Sequence, residues 1–369
     1  MWLLAISFLL LAVACSSSGD DQPRNPQPTV LTIYVYSPEH PLLIRSGVGN
    51  VNASFDESKI TRLQIWVFTT TNGTHKKVAY LDTKETSQLN VGEGAVYQLP
   101  VSDDFAQSKP DVDVYVLANI PTEGYASDSK LDGNSTRDAI LSATIPENYF
   151  GLTSPMTQVP DDGLPMAGAL TSQPVIGEAP VLRVGTSSNI ARVRLERAVS
   201  KVRFVFANTT GAPELTIKDI KLDAEMILNT EYLIQQIRMP ETDWNVETPL
   251  WTATQTEDIV EKVDNPTIYI YGGQEAQVYE DLIDQSELTK IGPFYLRESE
   301  KQLKGTITYQ FEGKDEQTGT FEMKAAGDFR RNHTWIVYAY HVGGGFLQLE
   351  TLYIKDWTTK EKSYEIYNW

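Results

Sequence analysis

The stretch Leu164–Phe206 reads LPMAGALTSQPVIGEAPVLRVGTSSNIARVRLERAVSKVRFVF. It opens on a Pro-Met-Ala-Gly loop and continues through a polar segment broken at Pro174 and Pro180, with Gly177 between them. From Arg192 onward, Val193, Leu195 and Val199 are interleaved with Arg192, Arg194, Glu196, Arg197, Lys201 and Arg203. A period of two sends apolar side chains to one face of a strand and charges to the other. Val202–Phe206 keeps that alternation only in part, as expected where a strand becomes covered on both faces. Strand-rich sequence of similar length lies on either side. The stretch therefore reads as the hinge between two domains, 30–185 and 186–369.

Working outward, strands are expected at Val30–Tyr36 (VLTIYVY), Ile60–Thr69, Val112–Asn119 (VDVYVLAN), Leu215–Leu222, Thr267–Tyr271 and Gly292–Arg297. Thr71-Asn72-Gly73 ends the second of these with a hairpin signal. Leu303–Phe311 and Thr318–Met323 read as a hairpin, and Gly343-Gly344-Gly345 as the turn between two further strands. Asn134–Thr144 and Tyr279–Leu288 are the two places for a short helix, the first capped by Asn or Ser. Many short alternating strands separated by turns predict an all-β chain of two β-sandwich domains with a few short helices. Trp244 and Trp251, in a less regular region, are assigned to packing rather than to a ligand platform.

A chain of 369 residues is long enough for two cores, and 41% hydrophobic with 22% charged residues is the balance of a globular protein. The net charge of −18 argues against nucleic acid, which demands clustered Lys and Arg. Cys15 is the only cysteine, so an intrachain disulfide and cysteine-based zinc sites are excluded. It follows directly on the apolar run Met1–Ala14 (MWLLAISFLLLAVA), which is too short to span a bilayer and resembles a signal peptide ending in a bacterial lipobox. The run carries no Lys or Arg, which points to a trimmed or misplaced start. Residues 1–15 are thus expected to be a lipoprotein signal with Cys15 as the acylated (palmitate-bearing) residue, held on a membrane by its acyl chains. The alternative leaves Cys15 as a small residue of an ordinary signal peptide. Residues 16–29 have the composition of a disordered tether.

The four histidines, His40, His75, His333 and His341, fall in separate elements, and no HExxH, GxSxG or phosphate-binding glycine loop occurs. Asp128, Asp132, Gly133 and Asn134 fail the calcium-loop pattern, because Lys130 and Ala139 stand at ligand positions. No metal, no cofactor and no enzymatic activity are expected. Asn52, Asn72, Asn134, Asn208 and Asn332 begin N-x-S/T triplets and are read as turn residues.

The Pro-Met-Ala-Gly loop with its LxRxVxKVxF-like strand, the VYVLAN run before a proline, Arg331-Asn332-His333 leading into an aromatic strand, and a penultimate strand ending in Asp356-Trp357 together resemble the fimbrillin-type pilins of Bacteroidetes. The resemblance implies two transthyretin-like sandwiches and a structural subunit of a surface fimbria serving adhesion or biofilm formation. It implies a lipoprotein on the outer face of the outer membrane, for which Asp20–Asp21 after Cys15 is similar to an export signal. It also implies cleavage by an Arg-specific protease in the loop after the first strand, where Arg45-Ser46 is the candidate bond. Removal of the Val30–Tyr36 strand would then open a groove for a strand of the next subunit. The candidate donor lies within 358–369, with Tyr364, Ile366, Tyr367 and Trp369 alternating. An ordinary loop arginine and an ordinary edge strand are the competing readings of Arg45 and of the terminus. The expected partners are other fimbrial subunits, the outer membrane through Cys15, and a host or bacterial surface receptor. A monomeric surface lipoprotein that binds glycan on a row of solvent-facing aromatic residues is the rival reading.

Overall fold

The computed structural model describes residues 29–36, 57, 59–71, 74–86, 94–108, 110–120, 131–145, 158–170, 182–183, 190–224, 227–228, 232–234, 244–245, 250–253, 258–264, 288–298, 303–323, 331–354 and 364–368. In chain order the strands begin with β1 (Val30–Tyr36), β2 (Leu63–Thr71), β3 (Thr74–Thr83), β4 (Gly94–Pro100), β5 (Asp111–Ala118), β6 (Met166–Leu170), β7 (Leu182–Arg183) and β8 (Ile190–Arg194). They continue with β9 (Glu196–Arg197), β10 (Ser200–Thr209), β11 (Leu215–Ala224), β12 (Ile227–Leu228), β13 (Trp244–Asn245), β14 (Leu250–Ala253), β15 (Asp258–Ile259) and β16 (Lys262–Val263). The last are β17 (Thr289–Leu296), β18 (Leu303–Phe311), β19 (Gln317–Met323), β20 (Thr334–Gly343), β21 (Phe346–Ile354) and β22 (Tyr364–Asn368). Two short helices, α1 (Asp103–Ser108) and α2 (Arg137–Leu141), complete the described elements. The chain is all-β, as its alternation predicts.

Two pairs of sheets each share a core. A three-stranded sheet of order β4-β1-β8 packs over a larger one of order β3-β2-β5-β6-β9, with β7 also on β5. Leu31, Ile33 and Val35 of β1 meet Leu63, Ile65 and Val67 of β2 and Val112, Val114 and Val116 of β5 in one cluster. In the second pair, β16-β10-β20-β21-β22, with β17 also on β10, lies over β14-β11-β18-β19, with β15 on β11. Val202, Phe204 and Phe206 point into that core beside Ile217, Ile220, Ile307, Phe321 and Trp335.

A third cluster fills the reverse face of the first large sheet. Trp66 and Phe68 alternate with the core residues of β2, and Tyr115 and Leu117 with those of β5. They pack against Ile140, Leu164, Val199, Leu233, Ile234 and Tyr295, which come from both halves of the chain. A sheet covered on both faces explains why β5 reads as nearly continuous apolar sequence rather than as strict alternation.

The stretch 164–206 is not one long strand. It is divided among β6, β7, β8, β9 and β10, with a break at Leu195 and another at Ala198-Val199. β8 runs parallel to β1 and β9 antiparallel to β6, so Ile190–Arg197 sits with the strands of the first half; β10 enters the second core. The single-face expectation for the charges fails within this stretch. Arg192 is exposed and Arg194 half-buried, but Arg197 and Lys201 are each 0% exposed. Alternation sorts side chains between two faces; it does not say what covers the second face. The expected helix over 134–144 shortens to α2, capped by Thr136, whose hydroxyl accepts from the Ala139 amide, rather than by Asn or Ser. Asp132 takes the turn instead: its Oδ1 accepts from the Asn134 amide at 2.7 Å. The expected elements at 267–271 and 279–288 lie outside the described residues.

Candidate functional site

Two arrangements could carry function: the groove that β1 fills, and a buried polar junction around Glu57. β1 has a neighbour on each side, antiparallel β4 (Ile33 opposite Tyr97) and parallel β8 (Ile33 opposite Ala191). Its burial alternates strictly, with Leu31, Ile33 and Val35 at 0% exposure and the residues between them half-buried. Burying each of those side chains stabilises the fold by roughly 1.5–3 kcal/mol. Without β1, the hydrogen-bonding edges of both β4 and β8 would be bare, together with the apolar floor of β2 and β5.

The outward face of the same sheet is also built. The rings of Tyr34 and Tyr36 stack, with centroids 5.8 Å apart and planes at 27°. The Arg192 guanidinium carbon lies 5.9 Å from the Tyr34 ring centroid, within cation–π range. A Cβ on Gly94 would run into the ring of Tyr34, so Gly94 is the notch in which that ring lies. Burial, opposed by Arg194 and Arg192, raises the Tyr36 phenol above its ordinary range.

The junction collects the motifs that are scattered through the sequence. Pro165 accepts from the Ala198 amide at 2.9 Å, Val199 from the Asn332 amide at 2.7 Å, and His333 from the Lys201 amide at 2.9 Å. Glu57 is buried among them. Its carboxylate accepts from Lys201 Nζ at 2.9 Å and from the Tyr295 hydroxyl at 2.6 Å, with an Arg203 nitrogen at 3.6 Å. Its carbonyl accepts from Arg197 Nε at 2.9 Å. Burial opposes the charge on Glu57, but Lys201, Arg203 and the Tyr295 hydroxyl outweigh it and hold the carboxyl below its ordinary range. Burial likewise pulls Lys201 well down and pushes Tyr295 up. Beside this cluster, Arg331 donates to the carbonyls of Leu233 (2.9 Å) and Tyr232 (2.6 Å) and pairs with Glu298 at 3.2 Å.

Asn119, the last residue of VYVLAN, explains that motif. It sits in the left-handed region (φ 58°), where Asn is tolerated. Its side-chain amide donates to the carbonyls of Lys59 at 2.7 Å and Leu164 at 2.8 Å, and its oxygen accepts from the Thr61 amide at 2.9 Å. The Pro-Met-Ala-Gly motif, expected as a loop, instead begins β6, because Met166–Gly168 pairs with β5; a Cβ on Gly168 would strike the Arg194 carbonyl, so only glycine lets β6 approach β8 so closely.

Of the predicted site residues, Cys15, Arg45, Ser46 and Trp369 lie outside the described residues. Tyr364, Ile366 and Tyr367 lie in β22, which pairs antiparallel with β21 at the edge of its sheet. The described histidines stay apart: His75 lies 3.2 Å from Asp113, and His341 packs its ring 5.0 Å from that of Phe311. Among the described residues, no cluster of His, Cys, Asp or Glu could hold a metal ion. Glu57, Asn119 and Glu298 were not anticipated. The available signal was Lys201 and Arg203, two cations two residues apart on the strand that enters the second core.

Residues 45–180 match the family described as major fimbrial subunit protein (FimA). Among solved structures, the tip fimbrial protein Mfa3 of Porphyromonas gingivalis, with a C-terminal truncation, is 12% identical; the match covers 93% of this chain and 100% of that one, with a TM-score of 0.43. A fimbrial assembly protein from Parabacteroides distasonis is 12% identical, with 89% and 95% covered and a TM-score of 0.42. The fimbrial anchor protein Mfa2 of P. gingivalis is 10% identical, with 88% and 97% covered and a TM-score of 0.35. No curated protein sequence matches the chain.

Proposed function

Residues 45–180 carry the signature of the major fimbrial subunit family, a family of structural subunits rather than enzymes, and on that premise we propose that this chain is a pilin assembled by strand exchange. The observation that carries the reading is β1, a strand that completes a core from between two neighbours distant in sequence. Arg45 follows it before the next strand begins. A cut at Arg45-Ser46 leaves β1 held by non-covalent contacts alone. Its departure opens the groove to the C-terminal strand of another copy. The position of β22 at the end of its sheet among the described residues supports reading it as the strand that is given up. Acylated Cys15 holds the precursor on the outer membrane, facing outward, until that cut. Each shared core is read as one transthyretin-like sandwich, and the filament serves adhesion or biofilm formation.

Limited digestion of the leaderless protein with an Arg-specific protease, followed by intact mass and size exclusion, tests this. A single cut after Arg45 followed by growth into oligomers is the expected result. An uncut, monomeric product would falsify the exchange mechanism and leave the surface lipoprotein that binds glycan, a reading favoured by the adjacent rings of Tyr34 and Tyr36.

A further inference from the structure

We propose that the groove reads the outward face of its strand as well as the inward face, and that this sets the register of the incoming one: Ile366 of a second copy takes the seat of Ile33, and Tyr367 the seat of Tyr34. The inference rests on the exchange reading above and adds to it the residues that choose the partner's register.

The inward face of β1 asks only for aliphatic bulk, which many strands could supply. The outward face asks for more. Opposite Tyr34 stand Val96 of β4 and Arg192 of β8, and its ring occupies the space over Gly94, the register partner of Tyr36. A notch bounded by a backbone and a guanidinium suits a flat ring. The chain's terminus repeats the outward pattern, since Tyr367 and Trp369 fall in the places of Tyr34 and Tyr36 when Ile366 takes that of Ile33; on the inward face Tyr364 and Asn368 then stand where β1 has Leu31 and Val35. In that register Glu365 takes the outward place of Thr32, opposite Gln98. A slip of one residue would turn Glu365 inward, against Leu63, Ile65 and Val114, where an unpaired carboxylate is costly. A slip of two toward Tyr36 would put Glu365 in the place of Tyr34, opposite Val96, and leave that seat without a ring.

The full chain, cut after Arg45, is offered three peptides: residues 30–36, residues 362–369, and residues 265–273, which contain the near-copy Thr267–Tyr271 (TIYIY). Uptake of the 30–36 peptide shows that the groove exchanges strands; its refusal overturns the exchange reading and this inference with it. With exchange established, the 362–369 peptide is expected to bind, and Tyr367→Ala in it, or Gly94→Val in the chain, to weaken it about tenfold. Circular dichroism of the Gly94→Val chain confirms that the fold persists. A Glu365→Cys peptide is expected to cross-link to Gln98→Cys. Cross-linking to Val96→Cys instead, indifference to Tyr367→Ala, or tighter binding of the 265–273 peptide would each overturn the assignment. So would capture of an acidic oligosaccharide that is lost in Arg192→Gln while strand uptake is unchanged.

Discussion

The groove of β1 and the junction around Glu57 both tie distant segments together, but by opposite physics. In the groove the inward contacts are aliphatic side chains and main-chain hydrogen bonds, so another strand can stand in wherever its outward side chains fit. At the junction each polar group has a named partner: Glu57 with Lys201 and Tyr295, Arg331 with Glu298. Removing one member strands the other in a place water does not reach. A replaceable strand and a junction of matched partners thus stand in one molecule, a division of labour suited to a subunit that must exchange one element and keep the rest.

Breaking the junction should therefore cost most. Glu57→Gln leaves Lys201 buried without its counter-charge and should lower stability by about 3–5 kcal/mol in urea unfolding. Adding Lys201→Met should return much of that loss; no recovery would mean that the pair is not the unit it is taken to be. Acid makes the same point without a mutation. The folded Glu57 carboxyl lies below its ordinary 4.5. Its stabilisation is therefore complete above that value and is lost as the pH falls through the folded one. Wild type and Glu57→Gln melting temperatures should converge over that acidic window, and a constant gap would contradict the assignment.

Ile33→Ala comes next, at about 2–5 kcal/mol by the same unfolding measurement, and it should also speed release of β1 after cleavage. Asn119→Ala leaves two buried carbonyls without a donor and should cost about 1–3 kcal/mol; a neutral result would mean that water replaces the amide. The smallest effect belongs to Arg192→Gln, about 0.5–1 kcal/mol from the lost cation–π contact, seen as a small shift in the urea midpoint.

The strands were legible where alternation was undisturbed. β11 and the β18–β19 hairpin appear close to where the pattern puts them, because each has one covered face. Arg197 and Lys201 were misread because period two describes a strand and not its surroundings. Glu57 had no local signal at all: it lies outside any strand, and its partners come from the far side of the chain. Asn119, Gly168 and Asn332 were noticed as parts of motifs, but their work became visible only when those motifs met. β3 and β4 escaped because their exposed polar residues hide the period, as in Thr74–Thr83, where no side chain is fully buried.

The two neighbours of β1 carry a consequence for how the molecule comes into being. Gly94–Pro100 lies well along the chain from Val30–Tyr36, and Ile190–Arg194 lies past its midpoint. Closing loops of that length is entropically costly, so the hairpin of β2 and β3 should form well before β1 docks. Pulsed hydrogen exchange during refolding would show it as late protection of the β1 amides, and early protection there would contradict the order. The strand that chain synthesis delivers first is on this account the last to be seated, and a core that waits for its final piece spends part of its life able to accept another.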